Sequence, residues 1–558
     1  MKKNDANIMI NALTNIDSIG VSNLQNIMNE IKIVRSRDLI SVVKLREIIE
    51  QNVTDHRRKC ANYTHPLINI LLIFMLGVIC GKDTVTEIYD YSKSVFYFLV
   101  VLFDQPVLLP KHLGGIDSKK ITENEKKDFI KNMDSNAKMR FYIPSYNTLL
   151  RAIRHINPDE LIRVRNLFII YIKNNDKNEN QYKNMRHLYI SCQLGITTDV
   201  EILDKCLKSP KKDLDKIVEN RNFIEYEIIN TEKDLRFYKN DMEIETYNGY
   251  KFRGHSPYQP KKFYKNGQEL HLCAIDGKSI KATKSLKNET QAKHIISLYE
   301  CETGDVLSET EVPNKTNEIT QDTIVLDKIV DLECYFISLD ALGCQHHILE
   351  YIDGRGGLYL AKIKGNQKKL KDYAESVLDI LDDNDHLFLE VDEQNKYRYE
   401  NRAYYITDNV SGICCSWPHA KAIGKVEKTV IDKDNISFEI DYYIMNFFDK
   451  TLFAHSSREH WKIENGLHRS LDCSYREDSC RVRTGKGAYN LNILRKAGIN
   501  ILNKCLSFVK EKGLCIKRLA SNFFQRPSLL AKSLDNVRTR TKFSINELLA
   551  SHEPFYIE

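Results

Sequence analysis

The stretch LHLCAIDGK, residues 270–278, decides the fold that this sequence predicts. It opens with an apolar run typical of a β-strand, and that run ends at Asp276. A second run, Cys334 to Leu339, predicts a strand that ends at Asp340. A side chain just past a strand lies at the edge of its sheet, where ligands gather in open α/β sheets. Both aspartates are therefore candidate site residues, although an Asp in this position is also a common helix cap or turn former.

Glycines follow both aspartates, and further strands follow along the chain. Gly277 and Gly343 suit tight turns that would expose the two carboxylates. The block 385–446 is β-rich, whereas apolar residues spaced by three and four indicate helices before residue 174 and after this block. We therefore predict a mixed α+β or α/β fold. The further predicted strands are Leu358–Ile363, Leu387–Val391, Ala403–Thr407, Lys425–Ile431 and Ile436–Met445.

A chain of 558 residues is too long for one compact core, at roughly 150 residues per domain. We predict a helical segment over 1–54 and a second helical domain over 55–173. A charged insertion or linker follows over 174–268, and the last domain covers 269–558, with a basic helical part at its end.

Two sequence features bear on the helical domain at 55–173. Ser145 precedes an apolar-periodic stretch and is expected to cap a helix. The apolar run from Pro66 to Cys80 falls short of the roughly 20 residues that a membrane span requires, so we expect a buried core helix. No apolar region follows the lysines at the N-terminus, and a soluble, cytoplasmic protein is the expectation.

Charge is distributed unevenly along the chain. The net charge is +6, but residues 476–542 hold 16 Lys or Arg against 4 Asp or Glu, a local excess of +12. This stretch would attract phosphates, or it is a solvated helical surface. The 14 cysteines include no C-x-x-C pair, which excludes a zinc ribbon, and no phosphate-binding G-x-x-x-x-G-K-[ST] loop is present. We expect no nucleotide cofactor.

A third carboxylate lies in a predicted helix. The sequence SSRE, residues 456–459, resembles a capping box, and Trp461, Leu467 and Leu471 would face the core. Glu464 lies on another stripe, with His460 four residues before it and His468 four residues after it. Two strand-end aspartates and this glutamate can hold two Mg²⁺ or Mn²⁺ ions for phosphoryl transfer. Zinc bound by His460, Glu464 and His468, or a polar helix face in an ion-pair network, are the alternatives.

Five ordered blocks resemble the H-repeat-associated insertion-sequence transposase family. They are AIDGKS (274–279), TNEI (316–319), LDALGCQ (339–345), GLYLAKIKGNQ (357–367) and REHWKIENGLH (458–468). The resemblance implies a DDE transposase with an RNase-H-like catalytic core, preceded by helical domains and carrying the β-rich block as an insertion. It also implies that Asp276, Asp340 and Glu464 are the catalytic, metal-binding triad.

The implied function is divalent-metal-dependent DNA strand cleavage and strand transfer at insertion-sequence ends. The partners would be double-stranded DNA, as element ends and as target, and further copies of this chain in a homodimer or higher oligomer. The implied location is the nucleoid in the cytoplasm. A domesticated, transposase-derived DNA-binding protein or nuclease without mobility is the alternative, because KYRYENR (396–402) stands where the family has a His-Gly-Arg-x-Glu-x-Arg block. Candidate DNA contacts are Lys278, Lys364, Gln367, Arg398, Arg402, Arg458, His460, His468, Arg481 and Arg483.

Overall fold

The computed structural model divides into two compact units. The first unit comprises residues 1–182, 279–293 and 467–558, and the second comprises residues 183–278 and 294–466. The structure describes residues 40–57, 65–95, 143–173, 261–266, 268–285, 291–313, 319–381, 388–395, 398–432 and 435–550, with a few short segments elsewhere. The predicted helix before residue 40, most of the predicted insertion at 174–268 and the block at 314–318 lie outside the described residues. The predicted domain boundaries stay predictions.

A nine-stranded sheet forms the centre of the second unit. The spatial order of its strands is β3-β2-β1-β4-β5-β9-β8-β7-β6. The strands are β1 (His271–Ile280), β2 (Lys293–Glu300), β3 (Asp305–Val312), β4 (Tyr335–Leu339), β5 (Leu358–Ile363), β6 (Phe388–Asn395), β7 (Arg398–Thr407), β8 (Ala422–Asp432) and β9 (Asn435–Met445). Shorter strands at Ile224–Ile228, Lys261–Lys265 and Gln268–Glu269 form a small separate sheet.

The first five strands have the connectivity of an RNase-H-like core. Strands β2 and β3 form an antiparallel hairpin, whereas β1, β4 and β5 run parallel. Parallel neighbours need long crossover connections, and helices α6 (Ile319–Asp327) and α7 (His346–Gly354) supply them. The predicted mixed fold with an RNase-H-like core is confirmed. Strand β1, however, continues through Asp276 to Ile280, so the prediction that it ends at Asp276 is wrong.

The β-rich insertion is not a separate layer but an extension of the same sheet. Strands β6 to β9 form an antiparallel meander, and β9 pairs with β5 from Leu360↔Met445 to Ile363↔Tyr442. The strands predicted in this block are confirmed, with β6, β7 and β8 longer than predicted. The insertion thereby covers the edge of β5, which would otherwise expose unpaired backbone groups.

The two faces of the sheet are covered by different helices. Cys273 and Ile275 on β1 lie in a buried cluster with residues of α6, α7 and α8 (Lys368–Leu378). Leu272 lies on the other face, in a cluster that includes Phe453 of α9 (Lys450–Glu459). Because side chains alternate between the faces of a strand, even-numbered positions of β1 near its centre face α9.

The first unit is helical and is assembled from distant parts of the chain. Its helices are α1 (Ile40–Asn52), α2 (Leu67–Ile79), α3 (Val85–Ser94), α4 (Tyr146–His155), α5 (Pro158–Lys173), α10 (Arg469–Tyr475), α11 (Gly487–Phe508), α12 (Ile516–Gln525), α13 (Pro527–Arg538) and α14 (Ile545–Ala550). The apolar helix predicted at 66–80 is confirmed as α2, and Ser145 caps α4 by accepting from the Thr148 N–H at 3.3 Å. Within the described residues, no helix is both long and apolar enough to cross a membrane.

A buried ion pair lies in the C-terminal part of this unit, and its arginine also contacts the N-terminal part. Arg495 on α11 and Glu477 have side chains 1% and 0% exposed, and their closest charged atoms lie 3.2 Å apart. Asn492 donates to the same carboxylate oxygen at 2.9 Å, and Arg495 also donates to the Asp83 carbonyl at 2.8 Å. The pair therefore links α11 to the residues that precede α3.

Glu477→Ala should strongly destabilise the protein, because it leaves the Arg495 charge buried without its partner. We expect a loss of about 3–5 kcal/mol in the free energy of unfolding, measured by urea denaturation. Glu547→Ala is the matched control, since the Lys510–Glu547 pair is exposed and should contribute roughly 0–1 kcal/mol. Equal losses in the two variants would contradict the assigned role of the buried pair.

Candidate active site

Asp340 lies at the first position after β4 and begins a tight turn. Its Oδ1 accepts from the backbone N–H groups of Leu342 at 2.9 Å and Gly343 at 3.1 Å. Its Oδ2 makes no hydrogen bond to the described residues. The turn therefore fixes the orientation of the carboxylate through one oxygen and leaves the other available to a ligand.

Three side-chain amides brace the turn that follows Asp340. Asn366 donates to the Ala341 carbonyl at 2.7 Å, Gln367 to the Cys344 carbonyl at 2.9 Å and Gln345 to the Leu342 carbonyl at 3.1 Å. Gln367, predicted as a DNA contact, thus has its amide directed at this turn. Sequence reasoning missed Asn366 as a bracing residue, although its position just after β5 places it at the same sheet edge.

Asp276 on β1 and Asp340 just after β4 each follow the last pair of the parallel ladder between these strands. The register pairs Ala274 with Ser338 and Ile275 with Leu339, so the two aspartates occupy the next step on adjacent strands. Neighbouring strands are about 4.8 Å apart. By alternation, Asp276 lies on the same face as Ala274, which is the face that α9 covers.

Gly277 allows a close approach to the backbone next to Asp276. A Cβ atom on Gly277 would lie 2.2 Å from Nε2 of His294 on β2, which is too close for any side chain. The turn predicted at Gly277 is wrong, because this glycine lies inside β1 and serves packing. Sequence reasoning missed His294, since nothing in the linear pattern shows which side chain lies over Gly277.

Helix α9 begins earlier than the sequence suggests. Asp449 is its N-cap and accepts from the Leu452 N–H at 2.7 Å. The predicted capping box at 456–459 is wrong, because Ser456 lies inside the helix and donates to the Phe453 carbonyl. Trp461 is 40% exposed rather than in the core, whereas Leu467 and Leu471 are buried as predicted.

The residues after α9 cross the strand that carries Asp276. His460 Nδ1 lies 2.9 Å from Ser338 Oγ on β4, and a Cβ on Gly466 would lie 2.8 Å from the Tyr299 hydroxyl on β2. Strand β1 lies between β2 and β4, so the residues from 461 to 465 pass over it. Glu464 is one of these residues and is exposed.

Glu464 belongs to a π-helical turn, Ile463–His468, rather than to a regular α-helix. The wider turn displaces the predicted i, i+4 stripe of His460, Glu464 and His468 from one helix face. Ile463 and Leu467 are both fully buried and hold the turn in place. Single π-helical turns are rare in proteins as a whole, and those that do occur are often found at functional sites.

His460 is held as a neutral imidazole. The Ser338 hydroxyl donates its only proton to the Cys273 carbonyl at 3.0 Å, so His460 Nδ1 must donate to Ser338 Oγ. The lone pair of the neutral ring is therefore on Nε2. Burial lowers the pKa of His460 to about 4, against the opposing effect of the nearby Asp340 carboxylate.

The chemistry of the donors fits a hard cation, but the described residues do not group them into a complete metal-binding site. Asp276, Asp340 and Glu464 offer carboxylate oxygens, the ligands that Mg²⁺ and Mn²⁺ prefer. Within the part of the chain that the structure describes, no three His, Cys, Asp or Glu side chains are grouped so that they could hold a metal ion. The same holds for the alternative zinc ligands His460, Glu464 and His468, which are not grouped around a common point.

The other predicted DNA contacts are dispersed over both units. In the second unit, Lys278 lies on β1, Lys364 is exposed before a 3₁₀ turn, and Arg458 lies on α9. Arg398 and Arg402 both pair with Glu400, and the Arg402 side chain is buried. In the first unit, His468 is partly buried, whereas Arg481 and Arg483 are exposed.

Comparison with known proteins places this site in a recognised domain. Residues 268–501 match the family described as "Transposase DDE domain". The chain is 30% identical over 253 residues to "Putative transposase YncI" of Escherichia coli O157:H7, which covers 43% of this chain and 65% of that protein. It is 30% identical over 248 residues to "H repeat-associated putative transposase YhhI" of Escherichia coli strain K12, covering 42% and 65%. The chain thus spans just under two thirds of the length of these relatives.

Gly277→Ala should destabilise the second unit, because the new methyl group overlaps the His294 ring. We expect a loss of about 1–3 kcal/mol, measured by urea denaturation. Gly365→Ala is the control, since nothing lies within 4 Å of a Cβ at that position. If the two variants have the same stability, the contact between His294 and Gly277 is not close in solution.

Stability of the metal-free protein should fall as the pH is lowered from about 6.5 to about 4. In this window the unfolded chain protonates His460 while the folded chain does not, so protons favour unfolding. The contribution of His460 is about 3 kcal/mol. His460→Gln should reduce the slope of stability against pH in this window, and an unchanged slope would show that the ring is protonated in the folded state.

Proposed function

We propose that this chain, which matches the "Transposase DDE domain" family over residues 268–501 and resembles H repeat-associated putative transposases, cleaves and transfers DNA strands at the ends of an insertion sequence. In the first step a water oxygen attacks the phosphorus and the bond from phosphorus to the 3′ oxygen breaks, which leaves a free 3′-hydroxyl. In the second step that hydroxyl attacks a phosphodiester of the target, and the target's own 3′ oxygen leaves.

Asp276, Asp340 and Glu464 are the proposed ligands of two Mg²⁺ or Mn²⁺ ions. Such ions, when bound, activate the attacking oxygen and stabilise the leaving oxygen of an in-line displacement. Each Mg²⁺ usually takes only one or two carboxylates, and water and substrate phosphate oxygens complete its shell. A fully assembled group of protein ligands is therefore not required before DNA binds.

The observation that supports the proposal is that Asp276 and Asp340 each directly follow the last register pair of β1 and β4, Ile275 with Leu339. Two carboxylates held side by side repel each other, and a cation between them relieves that repulsion. The chain from His460 to Gly466 crosses the same face and brings Glu464 over β1. The proposal therefore requires Glu464 to join the two aspartates when DNA and metal ions bind.

The remaining residues would orient the acids and the DNA. The amides of Asn366 and Gln367 hold the turn that positions Asp340. His460 stays neutral and so adds no charge that would compete with a bound cation. Lys278, Lys364 and Arg458 are the proposed phosphate contacts in this unit, because Lys and Arg side chains donate charge-assisted hydrogen bonds to phosphate oxygens.

We also propose that the protein acts on the nucleoid as a dimer or larger assembly, with one copy at each end of the element. Closed symmetric dimers are the commonest oligomers, and two paired DNA ends match two copies of one chain. We propose this assembly for the protein when it is bound to DNA.

Asp340→Asn should reduce DNA strand cleavage by roughly 10³-fold or more, because it removes one of the charges that hold the metal ions. Cleavage is measured on a duplex that carries one end of the element, with Mg²⁺ or Mn²⁺ and with EDTA as the metal-free arm. Asp372→Asn is the control, since Asp372 is exposed on α8. No cleavage by the folded unaltered protein with either ion, or full activity of Asp340→Asn, would refute the proposal.

A further inference from the structure

Three separate backbone segments of the first unit meet and bring exposed cations together. They are the C-terminal end of α4, the 3₁₀ turn Lys281–Thr283 and the loop 481–487 that leads into α11. In the sequence they lie more than a hundred residues apart, so no linear pattern indicates that they are neighbours.

Backbone contacts fix the loop against α4. The Lys486 N–H donates to the Arg154 carbonyl at 3.0 Å. Gly485 has a φ of +59°, and a Cβ there would lie 2.6 Å from the same carbonyl. A side chain at Gly487 would collide with Val482 at 2.5 Å. The glycines thus allow the loop to pass directly over the end of α4.

Side-chain contacts fix the same loop against the 3₁₀ turn. Arg483 Nη2 donates to the Ala282 carbonyl at 2.9 Å. Lys281 Nζ lies 2.6 Å from Asp478 Oδ2, while its side chain stays 79% exposed. Because each of the three segments is held at more than one point, the backbone positions that carry these cations are fixed relative to one another.

The resulting surface is strongly basic. Its exposed cations are Arg151, Lys281, Arg481, Arg483 and Lys486. Among the acids close to these segments, Asp478 faces Lys281, Asp472 also acts on Lys281, and Glu477 is buried against Arg495. Like charges held close together destabilise a fold, which favours a role in binding an anionic partner.

We propose that this basic surface binds the phosphate backbone of double-stranded DNA without regard to sequence. The inference rests on the proposed function, which supplies the partner, and it identifies a binding surface distinct in its residues from the candidate active site. Cations spread over a rigid surface can contact several phosphates at once, and each contact releases counterions. This interaction would hold and orient the duplex, while sequence would be recognised elsewhere.

The test is DNA binding measured by fluorescence anisotropy over a range of salt concentrations. The protein carries Asp340→Asn throughout, so that cleavage does not interfere, and the probe is a duplex of about 30 base pairs, roughly three helical turns. The test variant adds Arg151→Gln, Arg481→Gln and Lys486→Gln. The control variant adds Lys510→Gln, Lys517→Gln and Arg518→Gln, an equal loss of charge at exposed positions on other elements of the first unit.

The test variant should bind more weakly, and the slope of log affinity against log salt should fall by about 2–3. The control variant should keep the slope of the parent, and both should keep its melting temperature. Equal slopes in the two variants would overturn the inference. If the unaltered protein does not cleave DNA at all, the proposed function is refuted instead. The two outcomes can be told apart because the binding measurement does not depend on catalysis.

Discussion

The parallel pairing of β1 with β4 is the constraint on which the candidate active site depends. The last pair of its register, Ile275 with Leu339, is followed directly by Asp276 on β1 and by Asp340 just after β4. A shift by one residue would turn either side chain to the opposite face, where Cys273 and Ile275 are buried against helices. The apolar packing of both faces therefore fixes the position of the acids as firmly as it fixes the core.

Contacts around Asp340 and Glu464 hold the backbone at these two positions in place without burying the two side chains. Asp340 is tied down through one oxygen, and the turn after it is braced by amides from the end of β5. On the other side, the buried residues Ile463 and Leu467 anchor the π-helical turn, so Glu464 is exposed on a rigid support. Sites built on supported elements keep their geometry better than sites on loops.

The helices of the first unit come from distant parts of the chain, so long-range contacts must hold them together. The ion pair of Glu477 and Arg495 is costly to bury and is stable only when all of its partners are present. Through the hydrogen bond of Arg495 to the Asp83 carbonyl, it also connects the C-terminal helices to the residues that precede α3. The same unit brings the cations of α4 and the loop 481–487 onto one surface, which neither segment could form alone.

The sequence alone determined the strands at β4, β5 and β9, the apolar helix α2 and the cap at Ser145, since each depends on local periodicity or on one side chain. It also identified Asp276, Asp340 and Glu464 as candidates, through motifs that resemble a known family. Only the tertiary structure decided which carboxylates share a face, because strand register depends on packing between residues far apart in the chain. It likewise decided the early start of α9, the π-helical turn, the exposure of Trp461 and the contact of His294 with Gly277. In each of these cases the energy of long-range packing outweighs the local preference that a sequence pattern records.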